Sequence, residues 1–161
     1  MAEYATSIDI EASPAEVFDY LVTPKGMTAW MGQHAVLDPR PGGLFEVNIA
    51  GSPIRGEYLE VDRPRRVVVS WGVAGSEEFP AGTSTVSFTL TPIGTATRVD
   101  LLHSGLPDAR VEGHAYGWSH FLPRLGGVAA GRIAGEDHWM PLGWEKPHEP
   151  VGQSEGSGSA L

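Results

Sequence analysis

The chain contains no cysteine, and several other features are scarce. Without thiols it forms no disulfide, thiolate zinc site, iron–sulfur cluster or cysteine nucleophile. The chain has only 11 Lys and Arg residues but 20 Asp and Glu residues, which gives a formal net charge of −9. That balance argues against a sequence-independent nucleic-acid binder, which needs a basic face. No apolar run approaches the roughly 20 residues of a membrane span, and the opening residues lack the pattern of a signal peptide. We therefore expect a soluble cytoplasmic protein.

Glycine and proline, in contrast, are abundant, with 21 and 13 residues in a chain of 161. Tyr4 to Glu11 alternates as a strand does, and Ser13-Pro14-Ala15-Glu16 has the residue order of a capping box at a helix start. Thr23-Pro24 ends that helix, and a second short helix is expected to run to about Met31. From His34 to Ser104, turn signals recur every 8–12 residues, which predicts an antiparallel meander.

A long helix is predicted after the break at Gly105–Pro107. Apolar residues recur there at steps of three and four, which places them on one helix face, and Pro123 should kink or loosen the helix. The members of this stripe are Val111, Ala115, Trp118, Leu122, Leu125 and Ala129. His120 lies nearly opposite the stripe, so we expect it to be solvated.

The domain organisation follows from these patterns. Residues 1–131 are predicted to form one domain, and residues 132–151 an apolar, irregular C-terminal extension. Residues 152–161 are small and polar, a composition typical of a disordered tail. The extension contains Trp139, Met140, Leu142 and Trp144. It could dock a partner, or it could pack back on its own domain and cover an edge or a cavity mouth.

The order of elements and several segments resemble the START-like (Bet v 1-like, SRPBCC) superfamily. The matching segments are ASPAEVFDYLVTPKGMTAWMG, RPGGLFEV, RGEYLEVDRPRRVVVSWG, TRVDLLHSGLPD and EGHAYGWSHFLPRLGGVAAG. Within that superfamily they are most similar to the bacterial homologues of the activator of heat-shock-protein-90 ATPase. The resemblance implies an α+β helix-grip fold: a curved seven-stranded antiparallel sheet around a long C-terminal helix, with two short helices between the first two strands.

That fold implies a cavity between sheet and helix. The candidate lining residues are Trp30, Tyr58, Trp71, His103, His114, Trp118, Phe121 and Leu122. Strand parity places Val99, Leu101 and His103 on one inward face. His103 could act as a donor or general base toward a ligand, or as a structural histidine bonded at the Ser104–Gly105 turn. For Trp118, core packing is the simpler interpretation.

Three functions remain open. The first is binding of a small hydrophobic molecule, with no cofactor and no metal. The second is a polyketide cyclase/aromatase-like or hydratase-like enzyme that uses His103, His114, Tyr58 and Tyr116 as acid and base. The third is a protein-interaction module of the co-chaperone kind. The sequence contains no metal-ligand or nucleophile motif. It predicts no nucleic-acid partner and leaves a homodimer open.

Overall fold

The computed structural model describes residues 2–141, and the predicted tail at 152–161 lies outside them. Within residues 2–141, seven strands and three helices follow one another. They are β1 (Ala2–Ile10), α1 (Pro14–Val22), α2 (Pro24–Thr28), β2 (His34–Leu37), β3 (Leu44–Ile49), β4 (Ser52–Asp62), β5 (Arg66–Val73), β6 (Ser84–Ile93), β7 (Ala96–Leu106) and α3 (Val111–Ala129), with a 3-10 turn at Asp108–Arg110 before α3. The predicted elements are present in the predicted order.

All seven strands form one antiparallel sheet in the order β1-β7-β6-β5-β4-β3-β2. Sequential strands pair as neighbours from β2 to β7, and β1 joins the outer edge of β7. The long helix α3 packs against β1, while α1 contacts α3, β6 and β7. The helix-grip prediction is confirmed.

The start of α1 forms as the sequence predicts. The Ser13 hydroxyl accepts a hydrogen bond from the Glu16 amide, and the Glu16 carboxylate accepts one from the Ser13 amide. These reciprocal bonds satisfy two backbone donors that the first helical turn leaves free. The Ser13 bonds also lower the pKa of Glu16, because they stabilise its charged form. Thr23 then ends α1 and caps α2 through the Gly26 amide.

Helix α3 is continuous from Val111 to Ala129 and passes through Pro123. Its stripe residues Trp118, Leu122 and Leu125 are buried, as their spacing predicts. At Gly126 the helix approaches β1 so closely that a Cβ atom would lie 3.3 Å from the Ile8 side chain. This glycine therefore serves close packing.

Strand β5 is buried on both faces. One reason is the loop at 74–83, which folds back over the end of the strand. A Cβ atom on Gly72 would overlap the Pro80 carbonyl oxygen, so the crossing requires glycine at that position. The loop returns Phe79 to the interior, where it is fully buried. This places an aromatic ring from a loop beside the start of α3.

Candidate functional site

A cavity of about 570 Å³ lies between α3 and the ends of the central strands. Strand residues form one wall: Ile49, Ser52, Ile54, Trp71 and Val73. The 3-10 turn and α3 form the opposite wall, which consists of Arg110 from the turn and Glu112, Gly113, His114, Gly117, Trp118 and Phe121 from the helix. Met31, Ala109, Trp139 and Pro141 complete the lining. Most of these side chains are apolar, which is typical of a site for a small molecule.

Four of the eight residues expected at the cavity line it: Trp71, His114, Trp118 and Phe121. The two tryptophans face each other with ring centroids 5.3 Å apart. His114 packs edge-on to Trp71 at 6.3 Å and to Phe79 at 5.4 Å. These rings give the cavity a broad aromatic base. Gly113 and Gly117 on the adjacent helix face carry no side chain to occupy the space.

The other four lie in the core beside the cavity rather than in its lining. The Trp30 indole N–H donates to the Tyr20 carbonyl at 3.0 Å, and its ring packs on Phe88. The Tyr58 hydroxyl donates to the Leu21 carbonyl, also at 3.0 Å. Burial raises the pKa of Tyr58 above its ordinary value. Leu122 and His103 are likewise buried.

His103 belongs to a buried chain of hydrogen bonds. The Trp118 indole N–H donates to His103 Nδ1 at 3.1 Å, so the ring carries its proton on Nε2. That nitrogen lies 2.8 Å from Ser84 Oγ, and the Ser84 hydroxyl donates to the Trp71 carbonyl at 2.8 Å. The predicted inward face of Val99, Leu101 and His103 is confirmed by their burial. The expected bond to the Ser104–Gly105 turn is wrong, because the inward-facing ring meets Ser84 and Trp118 instead.

His114 is held in the opposite tautomer. The Trp71 indole N–H donates to His114 Nε2 at 3.2 Å, so the proton on Nδ1 donates to the Arg110 carbonyl at 2.8 Å. Its ring centroid lies 4.8 Å from that of His103.

Both imidazoles are therefore neutral and hydrogen-bonded at both nitrogens. The pKa of His103 is lowered to about 2, mainly by burial and also by the repulsion that a charge on the adjacent His114 would exert; burial also lowers the pKa of His114. Neither ring has a free lone pair for proton abstraction.

The start of the C-terminal extension packs back on α3. The Trp139 ring stacks on Tyr116 and His120 and meets Phe121 edge-on at 4.9 Å. Its indole nitrogen is buried without a hydrogen-bond partner in the described part of the chain. Because Trp139 and Pro141 also line the cavity, this segment covers one side of it. Leu142 and Trp144 lie outside the described residues.

One carboxylate holds this segment in place. Asp137, whose side chain is 11% exposed, lies 2.9 Å from His120 Nε2 and 3.7 Å from Arg124 Nε, and it accepts the Trp139 amide at 3.2 Å. The expectation that His120 is solvated is therefore wrong, because residues 132–141 cover that side of α3. Nothing in the spacing of α3 could show this contact.

Three further residues of the site are not predicted by the sequence patterns. Phe79 is an aromatic residue in an otherwise polar loop, and this contrast is the one signal that points to it. Arg110 precedes the predicted helix and belongs to no pattern. Ser84 follows from the pairing of β5 with β6, where it lies opposite Trp71.

Within residues 2–141, no three His, Asp or Glu side chains are arranged to hold a metal ion. No helix in the same range is long and apolar enough to cross a bilayer.

A seven-stranded sheet closed by a long helix over an aromatic cavity defines a helix-grip protein of the START-like class. The family profile described as "Activator of Hsp90 ATPase homolog 1-like protein" matches residues 11–130, and the chain belongs to this family. No curated protein matches the chain significantly in sequence.

Solved structures agree with this assignment. An AHSA1-like protein from Rhizobium etli is 38% identical, with a TM-score of 0.66, and the match covers 92% of this chain and 96% of that one. CalU16 from Micromonospora echinospora is 25% identical with a TM-score of 0.69, covering 83% and 69% of the two chains. The Aha1 dimer from Colwellia psychrerythraea has the same fold at 23% identity and a TM-score of 0.68, covering 81% and 97%.

Proposed function

We propose that this protein binds a small hydrophobic molecule in the cavity between α3 and the sheet. The observation that carries the proposal is the cavity itself, about 570 Å³ of space lined mainly by apolar and aromatic side chains. Sites for small molecules are clefts or cavities of roughly 300–1,000 Å³. A volume of this size beside a well-packed core is therefore suited to a ligand of several carbon atoms.

The acid–base alternative has less support. Its four candidates are His103, His114, Tyr58 and Tyr116. The two imidazoles have both nitrogens engaged by the protein, and the Tyr58 hydroxyl is bonded to a backbone carbonyl in the core. Tyr116 is exposed on α3 and stacks on Trp139. These groups do not converge on one point inside the cavity, as an acid–base pair would have to.

The interaction-module alternative rests on the family resemblance, with the apolar extension as its candidate docking segment. Its described part, residues 132–141, contacts α3 of its own domain and lines the cavity. This favours a role as a cover over the ligand. A homodimer remains a prediction; among the similar structures, the Colwellia protein is a dimer.

Binding of the neutral fluorescent probe N-phenyl-1-naphthylamine tests the proposal. The variant Ile54→Trp enlarges a buried side chain that lines the cavity, whereas Leu59→Trp makes a similar change at an exposed position of the same strand. We expect wild type and Leu59→Trp to bind the probe alike, and Ile54→Trp to bind it at least about tenfold more weakly, a loss of about 1.4 kcal/mol.

Thermal unfolding of both variants checks that each is folded. If wild type does not enhance the fluorescence of the probe, or if folded Ile54→Trp binds it as tightly as wild type, the proposal is wrong. A second lining variant, Ile49→Phe, applies the same test should Ile54→Trp not fold.

A further inference from the structure

One side chain of the cavity lining does not suit a purely apolar ligand. Arg110, in the 3-10 turn before α3, is half-buried at this edge of the cavity. Its guanidinium carbon lies 5.3 Å above the centre of the Phe79 ring. Within residues 2–141, the Arg110 side chain forms neither an ion pair nor a hydrogen bond. A guanidinium has five N–H donors, and contact with the face of an aromatic ring uses none of them.

Among the residues that line the cavity, Arg110 carries the positive charge. His114 is neutral, and its Nδ1–H donates to the backbone carbonyl of Arg110, which fixes the turn. Glu112 also lines the cavity but is exposed, and residues two apart on a helix do not face each other. Helix α3 begins at Val111, directly after Arg110, so the positive end of the helix dipole lies beside Arg110. No side chain within the described residues caps this helix end.

We propose that the ligand is an amphipathic monocarboxylate whose apolar chain fills the cavity and whose carboxylate binds Arg110. This inference rests on the proposed function and adds the chemical class of the ligand. Arginine suits the task because its planar fork can donate two parallel hydrogen bonds to one carboxylate. A partly exposed position at the cavity edge lets the ligand keep its charge, since the carboxylate need not be fully desolvated.

The proposal is tested by measuring how well decanoate and decanol each displace bound N-phenyl-1-naphthylamine. The two competitors have the same chain and differ in the charge of the head group. In Arg110→Gln we expect the affinity for decanoate to fall about tenfold, as for loss of a charge-assisted hydrogen bond, while decanol changes less than about twofold. Arg110→Lys should retain part of the decanoate affinity, because it keeps the charge and loses the fork. Glu112→Gln should strengthen decanoate binding.

Arg40→Gln is the matched control, since Arg40 is an exposed arginine paired with Asp38 in a distant turn. It should leave both competitors unaffected. Equal weakening of decanoate and decanol in Arg110→Gln would show that the arginine only supports the fold, and this overturns the proposal. An unchanged affinity for decanoate overturns it as well.

Different results would contradict the carboxylate assignment and the proposed function. If wild type binds the probe and decanol but not decanoate, the carboxylate assignment is wrong and the hydrophobic cavity remains. If neither the probe nor decanol binds, the proposed function itself is wrong.

Discussion

Burial of His103 in its neutral form should make stability depend on pH in a way that one substitution can isolate. The unfolded chain protonates this histidine near its ordinary pKa of 6.5, whereas in the folded protein the pKa is lowered to about 2. A depressed folded-state pKa means that stability is fully present above the unfolded value and is lost as the pH falls. A difference of one unit between the folded-state and unfolded-state pKa corresponds to about 1.36 kcal/mol in the free energy of unfolding.

The expected magnitude follows from that linkage. Between about pH 6.5 and about pH 4.5, His103 should cost the folded state about 2 kcal/mol. The variant His103→Asn cannot titrate, and its side-chain oxygen can still accept the bond from the Trp118 indole. It should be less stable than wild type near neutral pH, because Ser84 loses a partner. The stability gap should then narrow by about 2 kcal/mol as the pH falls to about 4.5.

Urea unfolding followed by tryptophan fluorescence at a series of pH values measures this gap. His34→Asn is the matched control, because it makes the same replacement at a histidine that is exposed on β2. Burial also lowers the pKa of His114, so wild type should lose stability faster than one histidine predicts. If the profiles of His103→Asn and wild type are parallel, His103 is not held neutral by burial, and the reasoning about the hydrogen-bond chain is refuted.

Two further predictions concern the cover of the cavity and the sheet. Asp137→Ala should detach residues 132–141 locally and accelerate hydrogen exchange of the Trp139 amide about tenfold. The control variant Glu136→Ala, at an exposed neighbouring position, should not accelerate it. Equal exchange rates in the two variants would contradict the anchoring role of Asp137. Gly56→Ala should lower the thermal midpoint strongly, since its Cβ would overlap the Ser70 carbonyl oxygen, while Gly94→Ala, in an open turn with positive φ, should cost about 1 kcal/mol. A mild effect at Gly56 would contradict that close approach.

Local signals predicted much of the fold because they act through neighbouring residues. The capping box at Ser13 and Glu16 needs only three residues of spacing, and strand parity placed His103 inward without knowledge of its partners. The spacing of the α3 stripe identified Trp118 correctly as a buried residue. Such features depend on backbone periodicity, which the sequence expresses directly.

The parts of the site that escaped prediction depend on tertiary contacts between distant segments. Phe79 reaches His114 and Arg110, beside the cavity, only because its loop crosses β5 at Gly72. His120 is covered only because Asp137 and Trp139 return to α3 from the C-terminal side. The periodicity of a helix predicts which residues share a face. It does not predict that a second face is also covered, because that depends on which segment packs there. Trp30 and Tyr58 were expected at the cavity, yet each has its polar group bonded within the core.

The most direct test of the account is an NMR titration of the protein with decanol, observed at the tryptophan indole N–H signals. Trp71, Trp118 and Trp139 line the cavity, whereas the Trp30 indole is bonded to Tyr20 in the core, next to a second depression of about 440 Å³. Occupation of the main cavity should shift the signals of Trp71 and Trp139 and leave that of Trp30 in place. A shift confined to Trp30, or no shift at any of these tryptophans at saturating decanol, would contradict a ligand site between α3 and the sheet.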